Sequence, residues 1–371
     1  MRIGVPKEIK NHECRVGLTP SSVRELVAHG HQVLVETCAG VAIGMQDDIY
    51  RAAGAAIAPS AADVFVNSDM VIKVKEPQPV ECEMLHQGQV LFTYLHLAPD
   101  AKLTAALIKS EAVCIAYETI TGNSGGLPLL APMSEVAGRM AIQAAASNIE
   151  NSKFGMGILL GGVPGVPAAH IVIIGAGVVG TNALQMALGI GARVTILDKN
   201  IDRLRYLDLV FGNRITTRYS TVSSLEESVI DADVLIGGVL VPGARAPKLV
   251  TREMISRMKK GSVVVDVAID QGGCFETSHP TTHAQPTFVI DGVVHYCVAN
   301  MPGAVARTST AALNNATLPY AINLADRGWR DAMRIDKDLR NGLNICAGKV
   351  TYQAVSTALG YQYFSAEAAI A

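Results

Sequence analysis

A chain of 371 residues is too long for one small hydrophobic core and suits two domains of ordinary size. Its composition, 49% hydrophobic, 17% charged and 5% aromatic with 34 glycines, argues against a disordered or fibrous protein and fits a glycine-turned α/β fold. A formal net charge of -2 argues against nucleic acid or an anionic membrane as partner, because both call for a basic face, so small-molecule chemistry is expected.

The opening Met1-Arg2-Ile3-Gly4-Val5-Pro6-Lys7-Glu8 lacks the charged-then-apolar pattern of a leader, and a cytoplasmic protein is expected. Short β-branched runs at 2–5, 31–36, 69–75, 89–96 and 111–119 alternate with helix-like stretches, a βαβ rhythm. Residues 134–151 are rich in helix formers, with Ser134 where an N-cap would stand, and read as a connecting helix. Between Phe154 and Gly180 the only titratable side chain is His170, yet Pro164, Pro167 and the adjoining glycines break this stretch into a segment, a loop and a buried strand rather than a membrane span.

A second strand series is expected at 170–174, 193–198, 233–239, 261–270 and 293–298. After Met301-Pro302-Gly303 a helical pattern resumes near Thr308 and runs toward the C-terminus with no further strand, crossing back to the first domain. The expected fold class is therefore α/β, with two Rossmann-like doubly wound parallel-sheet domains. The cofactor domain, 131–304, is inserted into a discontinuous substrate domain of 1–130 and 305–371.

Gly175-Ala176-Gly177-Val178-Val179-Gly180 follows the apolar run Ile171-Val172-Ile173-Ile174 and opens a helix-like stretch at 181–190. In that context Gly175 permits the tight turn, Gly177 lets backbone approach a pyrophosphate, and Gly180 allows close packing of helix on strand. The helix N-terminus supplies N–H groups for the anion. A second strand ends in Asp198, about twenty residues on, where a carboxylate binds both ribose hydroxyls and repels a 2′-phosphate. The expected cofactor is NAD, although Lys199, Arg203 and Arg205 stand nearby.

In open parallel sheets ligands collect beyond the carboxyl ends of strands. Three runs end there in a polar residue: 71–75 in Lys75, 90–96 in His96 and 263–270 in Asp270. Because they come from both domains, a cleft between the domains is expected. Oxidising an amine needs a base to free the nitrogen lone pair before hydride leaves carbon, and His96 fits. Lys75 fits as a cation for a substrate carboxylate, and Arg15 as a bidentate one.

His12, His29, His31 and His86 read as surface residues. His279 and His283 flank Pro280, which argues against the helix a metal pair at that spacing needs, and no metal site is expected. The seven cysteines, Cys14, Cys38, Cys82, Cys114, Cys274, Cys297 and Cys346, are scattered with no C-x-x-C pair and read as small buried thiols in a reducing compartment.

Val5-Pro6-Lys7-Glu8, Arg15-Val16-Gly17-Leu18-Thr19-Pro20, Val74-Lys75-Glu76-Pro77, Phe92-Thr93-Tyr94-Leu95-His96-Leu97, Gly175-Ala176-Gly177 and Val298-Ala299-Asn300-Met301-Pro302-Gly303 together resemble the bacterial L-alanine dehydrogenase family over nearly the whole chain. Several of these motifs are shared with the soluble NAD domain of proton-translocating transhydrogenase and with lysine-forming saccharopine dehydrogenases. Pro132-Met133-Ser134-Glu135-Val136-Ala137-Gly138 lacks the Arg-Ala-Gln pattern of the former, and nothing marks an acidic site for a second amino group as in the latter. A non-catalytic NAD-binding module is the reading from another class; loss of His96, Lys75 or Asp270 would be its mark, and all three are present.

The resemblance implies reversible conversion of L-alanine to pyruvate and ammonium with NAD, in a homohexamer. It assigns the substrate carboxylate to Arg15 and Lys75, acid/base chemistry to His96, and assistance of water attack on the imine to Asp270. It further implies that Ser134, Asp198, Arg203, Ser220, Val239, Asn300 and Met301 line the NAD site.

The ribose role is directly testable: Asp198→Ala or Asp198→Gly should narrow the preference for NAD over NADP. Unchanged kcat/KM ratios with the two cofactors would show the assignment to be wrong.

Overall fold

The computed structural model describes residues 1–122, 125–239 and 246–371. The chain divides into two compact units, one formed by Met1–Met133 with Val305–Ala371, the other by Ser134–Ala304.

The first unit holds strands β1 (Arg2–Val5), β2 (Gln32–Glu36), β3 (Ala56–Ala58), β4 (Met70–Ile72), β5 (Val90–Thr93) and β6 (Val113–Ala116). The second holds β7 (His170–Ile174), β8 (Arg193–Asp198), β9 (Thr216–Tyr219), β10 (Val234–Gly237), β11 (Val263–Asp266), β12 (Thr287–Ile290) and β13 (Val293–Tyr296). The returning chain adds β14 (Leu343–Cys346) and β15 (Lys349–Val350) to the first sheet.

Both sheets share one plan. The parallel strands run β3-β2-β1-β4-β5-β6 in one and β9-β8-β7-β10-β11-β13 in the other, the 3-2-1-4-5-6 order of a doubly wound Rossmann sheet. Each order reverses beside its first strand, between β1 and β4 and between β7 and β10, so a crevice opens at the carboxyl ends there. Antiparallel strands finish one edge of each sheet, β12 on β13 and β14 on β6 with β15 outermost.

Burial follows from this plan. Every residue of β4, β5, β6, β7, β10 and β11 is buried, as expected of strands covered on both faces. Helices flank them and turn apolar stripes inward. In Pro20–Ala28, Thr19 caps the amide of Ser22, Pro20 occupies the first turn, and Val23 and Leu26 are buried. The first core gathers Phe65, Leu91, Leu107 and Cys114 with Ile345, Val350 and Val355 from the returning chain; the second gathers Val172, Leu235, Val264 and Phe275.

Several sequence expectations need correction. The C-terminal stretch is not all helix: after Ala306–Arg327, Trp329–Ile335 and Lys337–Arg340 it forms β14 and β15, because a fully buried Leu343–Cys346 pairs with β6. The connecting helix is Ala131–Asn148, so Ser134 lies within it rather than at its N-cap; Pro132 is tolerated because first-turn N–H groups have no intrahelical acceptor. The helix after the glycine motif begins at Val178, not 181. Strands β3, β9 and β12 were not anticipated.

Cys14 and Cys38 are exposed, whereas the other five cysteines are buried. Burial pushes the Cys82 thiol up to about 11 and Cys297 up to about 12. His31 is buried, its Nε2 lying 2.8 Å from Asp326 Oδ1, and is not a surface residue. No helix among the described residues is long and apolar enough to cross a membrane.

Candidate active site

In the first unit the turn after β1 and the turn after β4 meet at the point where strand order reverses. Lys73, 0% exposed, places its Nζ 3.1 Å from Glu8 Oε2 and 2.7 Å from Glu81 Oε1, and both acids are buried. Glu8 Oε1 also accepts the amides of Val74 at 2.6 Å and Lys75 at 3.4 Å, while Glu81 Oε2 accepts that of Gln78 at 2.7 Å. Burial raises the Glu8 carboxyl above its ordinary range against the pull of Lys73. Burial alone would depress the Lys73 ammonium, but the two carboxylates overcome it and hold the ammonium above a free lysine's value.

Lys75, half-buried, follows directly, its carbonyl accepting the Thr93 hydroxyl at 2.9 Å. The segment carrying Arg15 packs on the end of β4; a Cβ on Gly17 would lie 2.4 Å from the Ile72 carbonyl oxygen, so only glycine fits. Arg15 is 2% exposed and forms a fork with Glu13, Nε to Oε1 at 2.7 Å and Nη2 to Oε2 at 2.6 Å, while Nη1 meets Met133 Sδ at 3.0 Å. Burial opposes ionisation of Glu13, but Arg15, with Lys75 adding to it, holds the carboxyl below its usual range.

His96 has φ 49, a left-handed backbone uncommon for a side chain other than glycine. Glu118, just past β6, stabilises it by accepting the His96 amide at 2.6 Å and the Leu95 amide at 3.2 Å. The His96 side chain remains 47% exposed, with Nδ1 3.9 Å from Glu118 Oε1. Its ring stacks on Tyr94, centroids 5.8 Å apart, and the Tyr94 hydroxyl donates to the Leu129 carbonyl at 2.5 Å.

In the second unit Gly175 adopts φ +96, and a Cβ there would lie 3.0 Å from the Gly238 carbonyl oxygen and 3.2 Å from Val239 Cγ2. A Cβ on Gly180 would lie 1.8 Å from the Gly175 carbonyl oxygen, whereas one on Gly177 meets nothing within 4 Å. Gly177 is the N-cap of Val178–Gly189 and offers no side-chain hydrogen bond to the first-turn amides. An uncapped N-terminus beside open space is what a pyrophosphate fits.

Asp198 closes the turn, Oδ2 accepting the Ala176 amide at 2.6 Å and Oδ1 that of Asn200 at 2.8 Å, while its carbonyl accepts the Ser220 amide at 3.0 Å. Arg203 is tied to the same turn, donating to the Ala176 carbonyl and the Thr181 hydroxyl, both at 2.7 Å. The helix carrying Ser134 packs against this one: Arg139 Nε donates to Asn182 Oδ1 at 2.9 Å, and a Cβ on Gly138 would lie 2.2 Å from the Val179 carbonyl oxygen.

Asp270 is exposed on the 3-10 turn Val267–Gln271, and its Oδ2 accepts the Asn300 amide at 3.5 Å. Asn300 has φ 59, and Met301 beside it is buried. His279 stacks on Phe288, while His283 Nε2 meets the Asn300 carbonyl at 3.3 Å. Among the described residues no three His, Cys, Asp or Glu side chains form a metal-ligand group.

The structure thus gathers Arg15, Lys75 and His96 in the first unit; in the second it sets the glycine turn, Asp198, Ser220 and Val239 at the carboxyl ends of β7, β8, β9 and β10, ties Arg203 to the glycine turn, and brings Asp270 and Asn300 together past β11 and β13. Lys75 and His96 lie three residues past their strands and Asp270 four, rather than at strand ends as expected. Sequence reasoning missed Glu8, Glu13 and Glu118. Glu118 stands next to last in the run 111–119, so the strand-end rule could have found it.

The alanine dehydrogenase/PNT N-terminal domain profile matches residues 4–137 and the corresponding C-terminal domain profile residues 141–353. An alanine dehydrogenase of Halomonas elongata is 60% identical over 370 residues, covering 100% of both chains. A solved L-alanine dehydrogenase superposes with a TM-score of 0.94 at 52% identity, covering 97% of this chain and 99% of its own. The transhydrogenase from Sinorhizobium meliloti gives 0.82 at 24% identity over 95% of this chain and 100% of its own, a likeness of fold alone.

Replacing Lys73 by Ala leaves Glu8 and Glu81 buried without their cation and should lower the unfolding free energy by about 3–5 kcal/mol. A urea midpoint equal to that of the parent protein would show that the triad does not hold this unit together.

Proposed function

The chain belongs to the alanine dehydrogenase/PNT family, and from that premise we propose that it catalyses the reversible NAD-dependent oxidative deamination of L-alanine to pyruvate and ammonium. The observation that carries this reading is the grouping of two cations and a half-exposed imidazole, Arg15, Lys75 and His96, in the unit that also holds Glu13 and Glu118. A small amino acid needs those groups: cations for its carboxylate, and a proton acceptor for its ammonium.

Glu13 fixes the plane of the Arg15 guanidinium, so its N–H groups meet a carboxylate in a set direction. The Glu8–Lys73 pair fixes the backbone at Lys75, whose ammonium neutralises the same carboxylate. His96 takes the proton from the substrate ammonium, because only the free amine can release a hydride from its carbon. Bound NAD supplies the acceptor for that hydride. Asp270 accepts a proton from the water that adds to the imine carbon, and the resulting carbinolamine releases ammonia as the carbonyl forms. A cytoplasmic setting and a homohexameric assembly go with this reading through the family resemblance.

NAD fits the residues present. Gly177 leaves space where a Cβ would stand, the helix behind it offers uncapped amides, and Asp198 presents a carboxylate at the end of β8.

The test is NADH formation by the purified protein at alkaline pH with L-alanine, D-alanine, L-serine and L-lysine in turn. Rapid turnover with L-alanine is expected, and none with L-lysine or D-alanine. Measurable NAD binding with no turnover on any of the four overturns the proposal. His96→Ala should lower kcat by roughly 10²- to 10⁴-fold, the usual weight of one acid/base group, with NAD affinity nearly unchanged. Near-normal turnover in that variant removes His96 from the mechanism.

A further inference from the structure

Asp266, the last residue of β11, is 0% exposed. Its Oδ1 accepts the Ala268 amide at 3.1 Å and the Cys274 thiol at 3.6 Å. Its Oδ2 accepts the amides of Cys274 at 3.0 Å and Phe275 at 3.4 Å and the Ser278 hydroxyl at 2.6 Å. These five donors come from both sides of Asp270, one before it and four after, so a single carboxylate fastens both feet of the turn that carries Asp270.

The intervening chain is shaped for this. Gly272 and Gly273, at φ +92 and +75, fold it back over the carboxylate, and a Cβ on Gly273 would lie 2.6 Å from Asp266 Oδ2. Lys248 Nζ donates to the carbonyls of Gly272 at 2.6 Å and Phe275 at 2.9 Å, and the Gly273 amide donates to the Ala268 carbonyl at 3.0 Å. At the apex Asp270 is exposed while Ile269 beside it is 3% exposed and anchors the turn.

We propose that Asp266 is a positioning residue for Asp270: it never meets the substrate, and it sets where the Asp270 carboxylate stands by holding the 268–278 turn. The proposal rests on the reading of Asp270 given above. An acid is required rather than an amide. The partners of Asp266 are all donors, and whichever oxygen an asparagine replaces, its NH₂ would face a backbone N–H that cannot turn away. The burial of an acid with no basic side chain among these five partners raises its pKa and marks a group kept at some cost in stability.

Four proteins decide the matter: the parent, Asp266→Asn, Ser278→Ala and Asp270→Asn, each with NAD present. The readouts are kcat, KM for L-alanine, NAD affinity, and amide hydrogen exchange across 267–278. Asp266→Asn is expected to lower kcat by roughly 10- to 100-fold, the scale of an ångström-level misplacement. KM and NAD affinity should stay near the parent values, and exchange should quicken in that segment. Ser278→Ala, which removes one hydroxyl donor, should move kcat and exchange the same way by less.

Parent-like kcat in Asp266→Asn alongside an inactive Asp270→Asn overturns the positioning role. So does a fall in kcat matched by an equal loss of NAD affinity. If Asp266→Asn does not fold, Ser278→Ala decides alone, and parent-like kcat and exchange in it overturn the proposal. Near-normal turnover in Asp270→Asn shows instead that the premise about Asp270 is false, and the positioning role falls with it.

Discussion

A strand covered on both faces cannot keep an uncompensated charge, and this constraint settles where chemistry can stand in the molecule. The central strands of both sheets are apolar and buried nearly throughout, so polar groups collect where the chain leaves the sheet at its carboxyl end. Lys73 tests the rule. It lies one residue beyond β4, fully buried, and persists there only because Glu8 and Glu81 surround its ammonium. The fold could have placed a leucine there at lower cost in desolvation; what the ion triad adds is a fixed path for the backbone running into Lys75.

The same device recurs at each candidate position. Glu8 holds the amides of Val74 and Lys75, Glu118 those of Leu95 and His96, Asp198 that of Ala176, and Asp266 those of Ala268, Cys274 and Phe275. A carboxylate that accepts backbone N–H groups makes hydrogen bonds worth about 1.5–3 kcal/mol each. That is enough to hold turns the chain would not otherwise adopt, including the left-handed backbone of His96. Each acid constrains a main-chain turn, and the turn in turn presents the reactive side chain.

The sequence made β7 and β8 legible to the residue, because their apolar runs begin and end with the ladder. It overran β4, β5 and β11, since Val74, Leu95 and Ile269 remain buried after the backbone has left the sheet, and hydropathy cannot tell a buried turn from a strand. Of the two hairpins among the described strands, Asp291-Gly292 carries a two-residue turn signature, with φ of 51 and 77, although β12 before it was not anticipated. Ala347-Gly348 was not, because alanine at φ 48 carries no turn signature. Lys75, His96 and Asp270 were visible as polar residues that close apolar runs, whereas Arg15 follows the polar stretch 10–14 and stood out only by its residue type and the motif around it. Glu8 and Asp266 were not visible, because most of their partners are backbone amides, which leave no trace in residue identity.

The pairing of β14 with β6 also fixes an order of events. Leu343 lies opposite Ile115, more than two hundred residues earlier in the chain, and the whole of Ser134–Ala304 is made between them. That inserted unit is continuous and can close its own core as it leaves the ribosome. The first unit must wait with the flank of β6 unpaired until the last strands arrive. During synthesis, then, the portion bearing the candidate carboxylate-binding cations is the later to mature, and its open flank is the surface most in need of protection from association with other chains.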